Sequence, residues 1–317
     1  MNDSAKQNLR VLLIEDSEND AELIARELNK ANGFILYLEV ATNIREIITK
    51  MASSTWDIII TDYNLGSFDA MKVIDILEDM ELDIPLILIS GVVDLEQINE
   101  AFRKGAHEFV SKQNLSRLHA VIKRELKINL AYEETLKAWA RTLDIRDHVT
   151  AGHSERVVNM TLLLSRAMGL AESDIVHIRR GALLHDIGKL IVPDAILNKP
   201  GKLTHEELLL MRQHTETAYE LLKDIAFLRK AMIIPRYHHE RWDGSGYPFG
   251  LQGRNISLPA RIFAVVDVWD AMTNTRPYRE ALSHKFVIKY LYQQKGILFD
   301  PNVVDKFIEL FDEEEGS

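Results

Sequence analysis

The chain has 317 residues, 46% of them hydrophobic, enough for two modules that each bury a core of their own. It carries no cysteine, which excludes a disulfide framework and thiolate metal sites and leaves histidine and carboxylate to hold any metal. A formal net charge of −10 argues against binding to a nucleic-acid backbone, and there is neither a membrane-length apolar run nor a secretory start, so the chain is expected to stay in the cytoplasm.

Residues 1–7 are polar and expected to be disordered. Short apolar runs at residues 11–14, 58–61, 86–90 and 109–110 read as buried strands, with helical patterns such as residues 20–30 and 95–104 between them. This alternation predicts a doubly wound, flavodoxin-like parallel sheet, an architecture that binds ligands at the carboxyl ends of its strands. Polar residues stand at four of those ends: Glu15 with Asp16, then Asp62, then Ser90, then Lys112. Three carboxylates at neighbouring strand ends suit a hard cation such as Mg²⁺. An aspartate beside such a cation can attack a phosphoryl group, with a hydroxyl and an ammonium to receive the new phosphate oxygens.

The stretches VLLIEDSENDAEL, IIITDYNLGSFDA, LILISG and KGAHEFVSK resemble a response-regulator receiver domain over residues 8–125. The resemblance implies that Asp62 accepts phosphate from a histidine kinase. It also implies that Glu15, Asp16, Asp62 and the backbone of Asn64 hold Mg²⁺, that Ser90 and Lys112 read the phosphate, and that Phe109 is the aromatic switch residue. Gln113 departs from the pattern, because the family usually has proline after the lysine.

No glycine or proline occurs between Leu115 and Gly152, and apolar residues recur at Leu115, Leu118, Ile122 and Leu126 and again at Leu136, Trp139 and Leu143. A long helix over residues 115–145 is therefore expected to join the modules, by packing on its own domains or as a two-stranded coiled coil. Beyond Gly152 helical patterns dominate up to Phe311, broken by a glycine- and proline-rich loop over residues 243–259, and residues 312–317 read as an acidic tail.

The histidines of this second half come in order with two aspartates: His153, His185 with Asp186, His214, His238 with His239, and Asp267 in the apolar run RIFAVVDVWD. GALLHDIGKL reads as a buried helix with a polar step, which places Lys189 on the face of His185 and Asp186. Imidazole and carboxylate donors suit Fe, Mn, Ni or Zn, and two such metals can activate water and clamp both oxygens of a displacement at phosphorus.

The ordered pieces HDIGK, KPGKLTHEE, HHERWDGSGYPFG and DVWDAMTNTRPYR resemble the HD-GYP subset of the HD phosphohydrolases over residues 140–311. The resemblance implies an all-α fold and metal-dependent hydrolysis of cyclic di-GMP to pGpG, GMP or both. It assigns His153, His185, Asp186, His214, His238, His239 and Asp267 to two transition metals, Fe or Mn before Ni or Zn, with Asp186 bridging. Lys189 would stand beside the nucleophile and the phosphate, Gly246, Tyr247 and Pro248 would form the name-giving loop, and Arg276 and Arg279 would hold substrate. Some members carry a glutamate four residues before the first histidine; Val149 stands there in this chain, which implies two metals and not three. Asp147 and His148 could substitute only with a shifted backbone. The pattern leaves open a weakly catalytic cyclic di-GMP sensor or docking protein and a hydrolase of another cyclic dinucleotide. Homodimerisation through the receiver or the long helix would be ordinary for the first family.

Overall fold

The computed structural model describes residues 7–30, 33–91, 94–147, 152–275 and 280–315. They form two compact units, Met1–Tyr132 and Glu133–Ser317. The first unit contains strands β1 (Gln7–Ile14), β2 (Phe34–Ala41), β3 (Ile58–Asp62), β4 (Asn64–Leu65), β5 (Phe68–Asp69), β6 (Leu86–Ser90) and β7 (Glu108–Ser111). Its helices are α1 (Glu18–Asn29), α2 (Ile44–Ser53), α3 (Ala70–Asp79), α4 (Leu95–Arg103) and the start of α5 (Leu118–Arg146).

The main sheet runs β2-β1-β3-β6-β7 with every pairing parallel, while β4 and β5 form a small antiparallel pair. Side chains alternate across a strand, so a sheet covered on both faces needs continuous apolar runs. The central strands meet that demand: Val11, Leu13, Ile58, Ile60, Ile87 and Ile89 pack under α1 and α5, and Leu12, Ile14, Ile59, Leu86 and Leu88 under α2, α3 and α4. Strand β2 has no counterpart in the sequence expectation. It lies at the sheet edge and exposes alternate residues, so its apolar signal is diluted by Tyr37 and Glu39. Gln7 begins β1, and the rest of the stretch expected as disordered lies outside the described residues.

The second unit contains the end of α5 and helices α6 (His153–Ala167), α7 (Glu172–Leu183), α8 (Asp194–Leu197), α9 (His205–Arg212), α10 (His214–Leu222), α11 (Ile233–Tyr237), α12 (Leu258–Thr273), α13 (His284–Gln293) and α14 (Pro301–Glu315). Among the described residues it has no strand beyond two isolated bridges. Helix α12 runs through its core, burying Ile262, Phe263, Val265 and Val266, and Phe307 of α14 packs in the same core. Helix α14 continues to Glu315, so its last turn takes in residues read from sequence as the acidic tail.

The long helix runs from Leu118 to Arg146, beside the expected residues 115–145. Leu118, Val121 and Ile122 pack on the sheet of the first unit, and Leu136, Ala140 and Leu143 in the second, whereas Ile128, Leu130 and Tyr132 between them are exposed. No described helix is long and apolar enough to cross a membrane.

Candidate functional site

In the first unit the polar residues gather at the carboxyl edge of the sheet. Glu15 follows β1, Asp62 ends β3, Ser90 ends β6 and Lys112 follows β7. Ser17 caps α1 by accepting a hydrogen bond from the Asp20 backbone N–H at 3.4 Å, which sets Asp20 in the first turn. Ligand-capable oxygens of Glu15, Asp20 and Asp62 lie within 4.8 Å of one another. The Lys112 ammonium donates to Glu15 at 3.1 Å, to Asp62 at 2.7 Å and to Asp20. Burial works against that ammonium, but the three carboxylates outweigh it and hold the Lys112 pKa above its ordinary value. Burial raises Glu15, with the Ser17 N–H and Lys112 opposing.

Asp16, expected in the acidic cluster, is exposed and stands outside this group, and Asp20 takes the third place. The reason is local: Asp16 leaves the strand pointing over Gly66, where a Cβ would come within 2.9 Å of its Oδ2. Asn64 is exposed at the start of β4, Ser90 is buried, and Phe109 is half-buried against the core beneath α2, α3 and α4.

The second unit brings all seven predicted metal-ligating residues together. Asp186, His214, His238 and His239 form one group and His153, His185 and Asp267 another, the donor atoms in each within 4.8 Å of one another. Asp186 touches both: its Oδ2 is 3.1 Å from His185 Nε2, and its Oδ1 is 3.7 Å from His214 Nε2 and 3.9 Å from His238 Nε2. His153 Nε2 lies 3.9 Å from Asp267 Oδ1.

The opposite ring nitrogens decide what these imidazoles can do. Nδ1 of His185 donates to the Ala182 carbonyl at 2.9 Å, that of His214 to Met211 at 2.7 Å, and that of His238 to Ile234 at 3.0 Å. A carbonyl only accepts, so each Nδ1 carries a proton and each Nε2 faces the centre; at His214 and His238, whose charged forms burial disfavours, that Nε2 is a bare lone pair, the form that ligates a metal. Burial, then repulsion by neighbouring imidazoles, pushes His239 down to about 3 and His238 well below its ordinary value. At His185 burial also opposes charge, but the Asp186 carboxylate outweighs it and raises the group, so a cation there would replace a proton.

His185 and Asp186 do not sit within a helix as the pattern suggested. Helix α7 ends at Leu183, the pair occupies a turn, and residues Ile187–Ile191 form a 3-10 segment. Packing forces this: a Cβ on Gly188 would lie 1.8 Å from the His214 carbonyl oxygen, so glycine lets the segment press against α10. Lys189 still reaches Asp186, with Nζ 2.8 Å from Oδ2, and its other partner is Asp147 at 2.7 Å. Burial opposes the charge on Lys189, but the two carboxylates outweigh it and raise its pKa.

Tyr247 stacks on His239 at 4.7 Å between ring centroids and 29° between planes, and the Arg212 guanidinium lies 4.9 Å from its ring. Burial and the Asp186 charge raise the Tyr247 pKa, which keeps a phenol proton at the site. Gly246 passes so close to residues 239–241 that a Cβ would meet the Arg241 nitrogen at 2.4 Å. Buried Glu240 accepts from the Phe249 N–H at 2.8 Å and the Leu251 N–H at 2.9 Å, tying down the loop that also carries Pro248.

Arg276, Arg279, His148 and Val149 lie outside the described residues. Several supporting residues were not singled out from sequence. Asp270 accepts from His153 Nδ1 at 2.7 Å and from Arg156 Nε at 2.6 Å; its signal was its place three residues after Asp267 on the same helix. Glu240, Arg212 and Asp20 gave no comparable signal, because only the folded backbone makes them neighbours of the site.

Two family models match the chain: the response regulator receiver domain over residues 11–123 and the HD domain over residues 137–303. The cyclic di-GMP phosphodiesterase response regulator RpfG of Xanthomonas campestris pv. campestris is 36% identical over 282 residues, covering 80% of this chain and 75% of the relative. A cyclic di-GMP phosphodiesterase of Thermotoga maritima is 30% identical over 338 residues, covering 95% and 90%. The 3'3'-cGAMP-specific phosphodiesterase 2 of Vibrio cholerae is 39% identical over 176 residues, covering 55% of this chain and 34% of the relative. The chain belongs to the response regulators in which a receiver domain is followed by an HD domain of the HD-GYP type.

Proposed function

We propose that the protein is a cytoplasmic response regulator whose HD domain hydrolyses cyclic di-GMP to pGpG, GMP or both, under control of phosphorylation at Asp62 by a histidine kinase. The observation that carries the hydrolase reading is Asp186, one oxygen turned to each of the two histidine groups, with Lys189 on one of those oxygens. In this reading the receiver spans residues 8–125, the joining helix residues 115–145 and the hydrolase residues 140–311. The relatives named as cyclic di-GMP phosphodiesterases support the substrate.

His153, His185 and Asp267 would hold one cation, His214, His238 and His239 another, with Asp186 between them. Fe or Mn suits this set best, and Ni or Zn is compatible with it. Bound there, the cations would supply the Lewis acidity that makes water a nucleophile at neutral pH. The chain's own residues do the remaining work. Lys189 neutralises a phosphate oxygen, Tyr247 offers its phenol proton from the face of His239, and Arg276 and Arg279 hold the second phosphate or a guanine. At the receiver, Glu15, Asp62 and the Asn64 backbone hold Mg²⁺ with Asp16 or Asp20, and Ser90, Lys112 and Phe109 read the phosphate. A homodimer fits the proposal equally well as a monomer.

The similarity to a 3'3'-cGAMP-specific phosphodiesterase supports a second reading, in which the substrate is that dinucleotide. Purified protein loaded anaerobically with Mn²⁺ or Fe²⁺ is incubated with each dinucleotide, and products are separated by chromatography while bound metal is measured. Metal-dependent pGpG or GMP, with about two metals per chain, is the expected result. Cleavage of 3'3'-cGAMP alone moves the assignment to the second reading; two intact nucleotides over fully loaded metal overturn the enzyme and leave a sensor. A third metal held by protein residues overturns the binuclear assignment.

A further inference from the structure

The end of α5 grips the segment that carries Lys189. Arg146, the last residue of α5, donates from Nη1 to the carbonyls of Lys189 at 2.9 Å and Leu190 at 3.0 Å, from Nη2 to that of Val192 at 2.6 Å, and from Nε to the Asp194 carboxylate at 3.0 Å. Asn198 returns a bond to the Arg146 carbonyl at 3.2 Å. The next residue, Asp147, still bonded through its N–H to Leu143, accepts from Lys189 Nζ at 2.7 Å. A guanidinium shared among three carbonyls within four residues fixes that backbone more tightly than a single contact would, because its donors lie in one rigid plane. One helix end therefore holds both the main chain around Lys189 and its ammonium.

We propose that Arg146 and Asp147 are positioning residues through which the long helix sets the placement of Lys189, so that a displacement of the last turn of α5 changes turnover. The proposal rests on the hydrolase reading for its effect on rate but not for the grip itself. Asp147 thereby acquires a role other than metal ligation: its carboxylate is committed to Lys189. The connection needs no intermediate side chain, since residue 146 touches carbonyls 189, 190 and 192 directly.

The test uses the full chain with metal bound. In Arg146→Gln, hydrogen–deuterium exchange over residues 187–197 accelerates while exchange in α12 stays as in the wild type. In Asp147→Asn, kcat for cyclic di-GMP falls roughly ten- to a hundredfold, KM moves little and metal content is kept; Asp147→Glu recovers part of the rate. Arg146→Lys, which keeps a donor and a charge, lies between wild type and Arg146→Gln and substitutes for it if that variant does not fold. Unchanged exchange in Arg146→Gln, or Asp147 variants whose rate loss tracks metal loss, overturns the proposal. If no variant or wild type cleaves a dinucleotide, the function fails while the exchange result still decides the grip.

Discussion

At the scale of single residues, His177 is the group whose chemistry is least served by its surroundings. It is buried in α7, and neither ring nitrogen has a hydrogen-bond partner among the described residues. Burial, helped by the charges of Arg180 and Lys230, lowers its pKa to about 4. A histidine whose folded pKa lies below its unfolded value binds its proton later when folded, so its contribution is fully present above the unfolded pKa and is lost as pH falls towards 4. We expect His177→Leu to flatten the acid side of the stability profile, gaining up to about 3 kcal/mol over wild type near pH 4 to 5 and little at pH 7.5. Denaturant melts at the two pH values check this; parallel profiles would refute it. The sequence marked His177 only as one of eleven histidines, because an orphaned ring is a property of packing.

Among the elements, the loop after α11 shows how a short segment depends on one carboxylate. Glu240 is 3% exposed and accepts two backbone hydrogen bonds from beyond Tyr247. Glutamine at that position presents one acceptor where two are needed and turns an N–H at a donor. Glu240→Gln is expected to lower stability by about 1–3 kcal/mol and to reduce turnover while histidine-bound metal remains. Calorimetry and metal analysis on the same preparation separate this from a collapsed site, which would lose both. The glycines of the loop and of the 3-10 segment act in the opposite sense, by leaving room. The motif letters around Gly188 and Gly246 were legible in the chain, but their reason, backbone approaching within a Cβ radius, was not.

For the whole molecule, the two units carry separate chemistry and should answer separately to their ligands. Removing metal from the helical unit leaves Asp186 and its histidines without the partner that the proposed function supplies. A chelator is expected to lower the transition of that unit by about 3–4 kcal/mol for metal at a hundred to a thousand times its dissociation constant, and to leave the receiver transition in place. Scanning calorimetry of the full chain shows which transition moves; a shift of both alike would contradict it. Asp62→Asn supplies the complementary experiment: turnover that no longer responds to a phosphoryl donor supports the control, and unchanged response removes it.

By itself the sequence determined the α/β and all-α halves, the order of strand ends bearing Glu15, Asp62, Ser90 and Lys112, and the six residues that gather with Asp186. Periodicity and motif order carry that information because buried strands need unbroken apolar runs and a site in an apolar wall interrupts them with polar residues. Tertiary structure alone decided the edge strand β2, the turn at His185 and Asp186, the closeness of Asp20 to Glu15 and Asp62, and the hold of Arg146 and Asp147 on Lys189. Each of these depends on contacts between segments far apart in the chain, or on the room between two backbones, and neither quantity is written in local spacing.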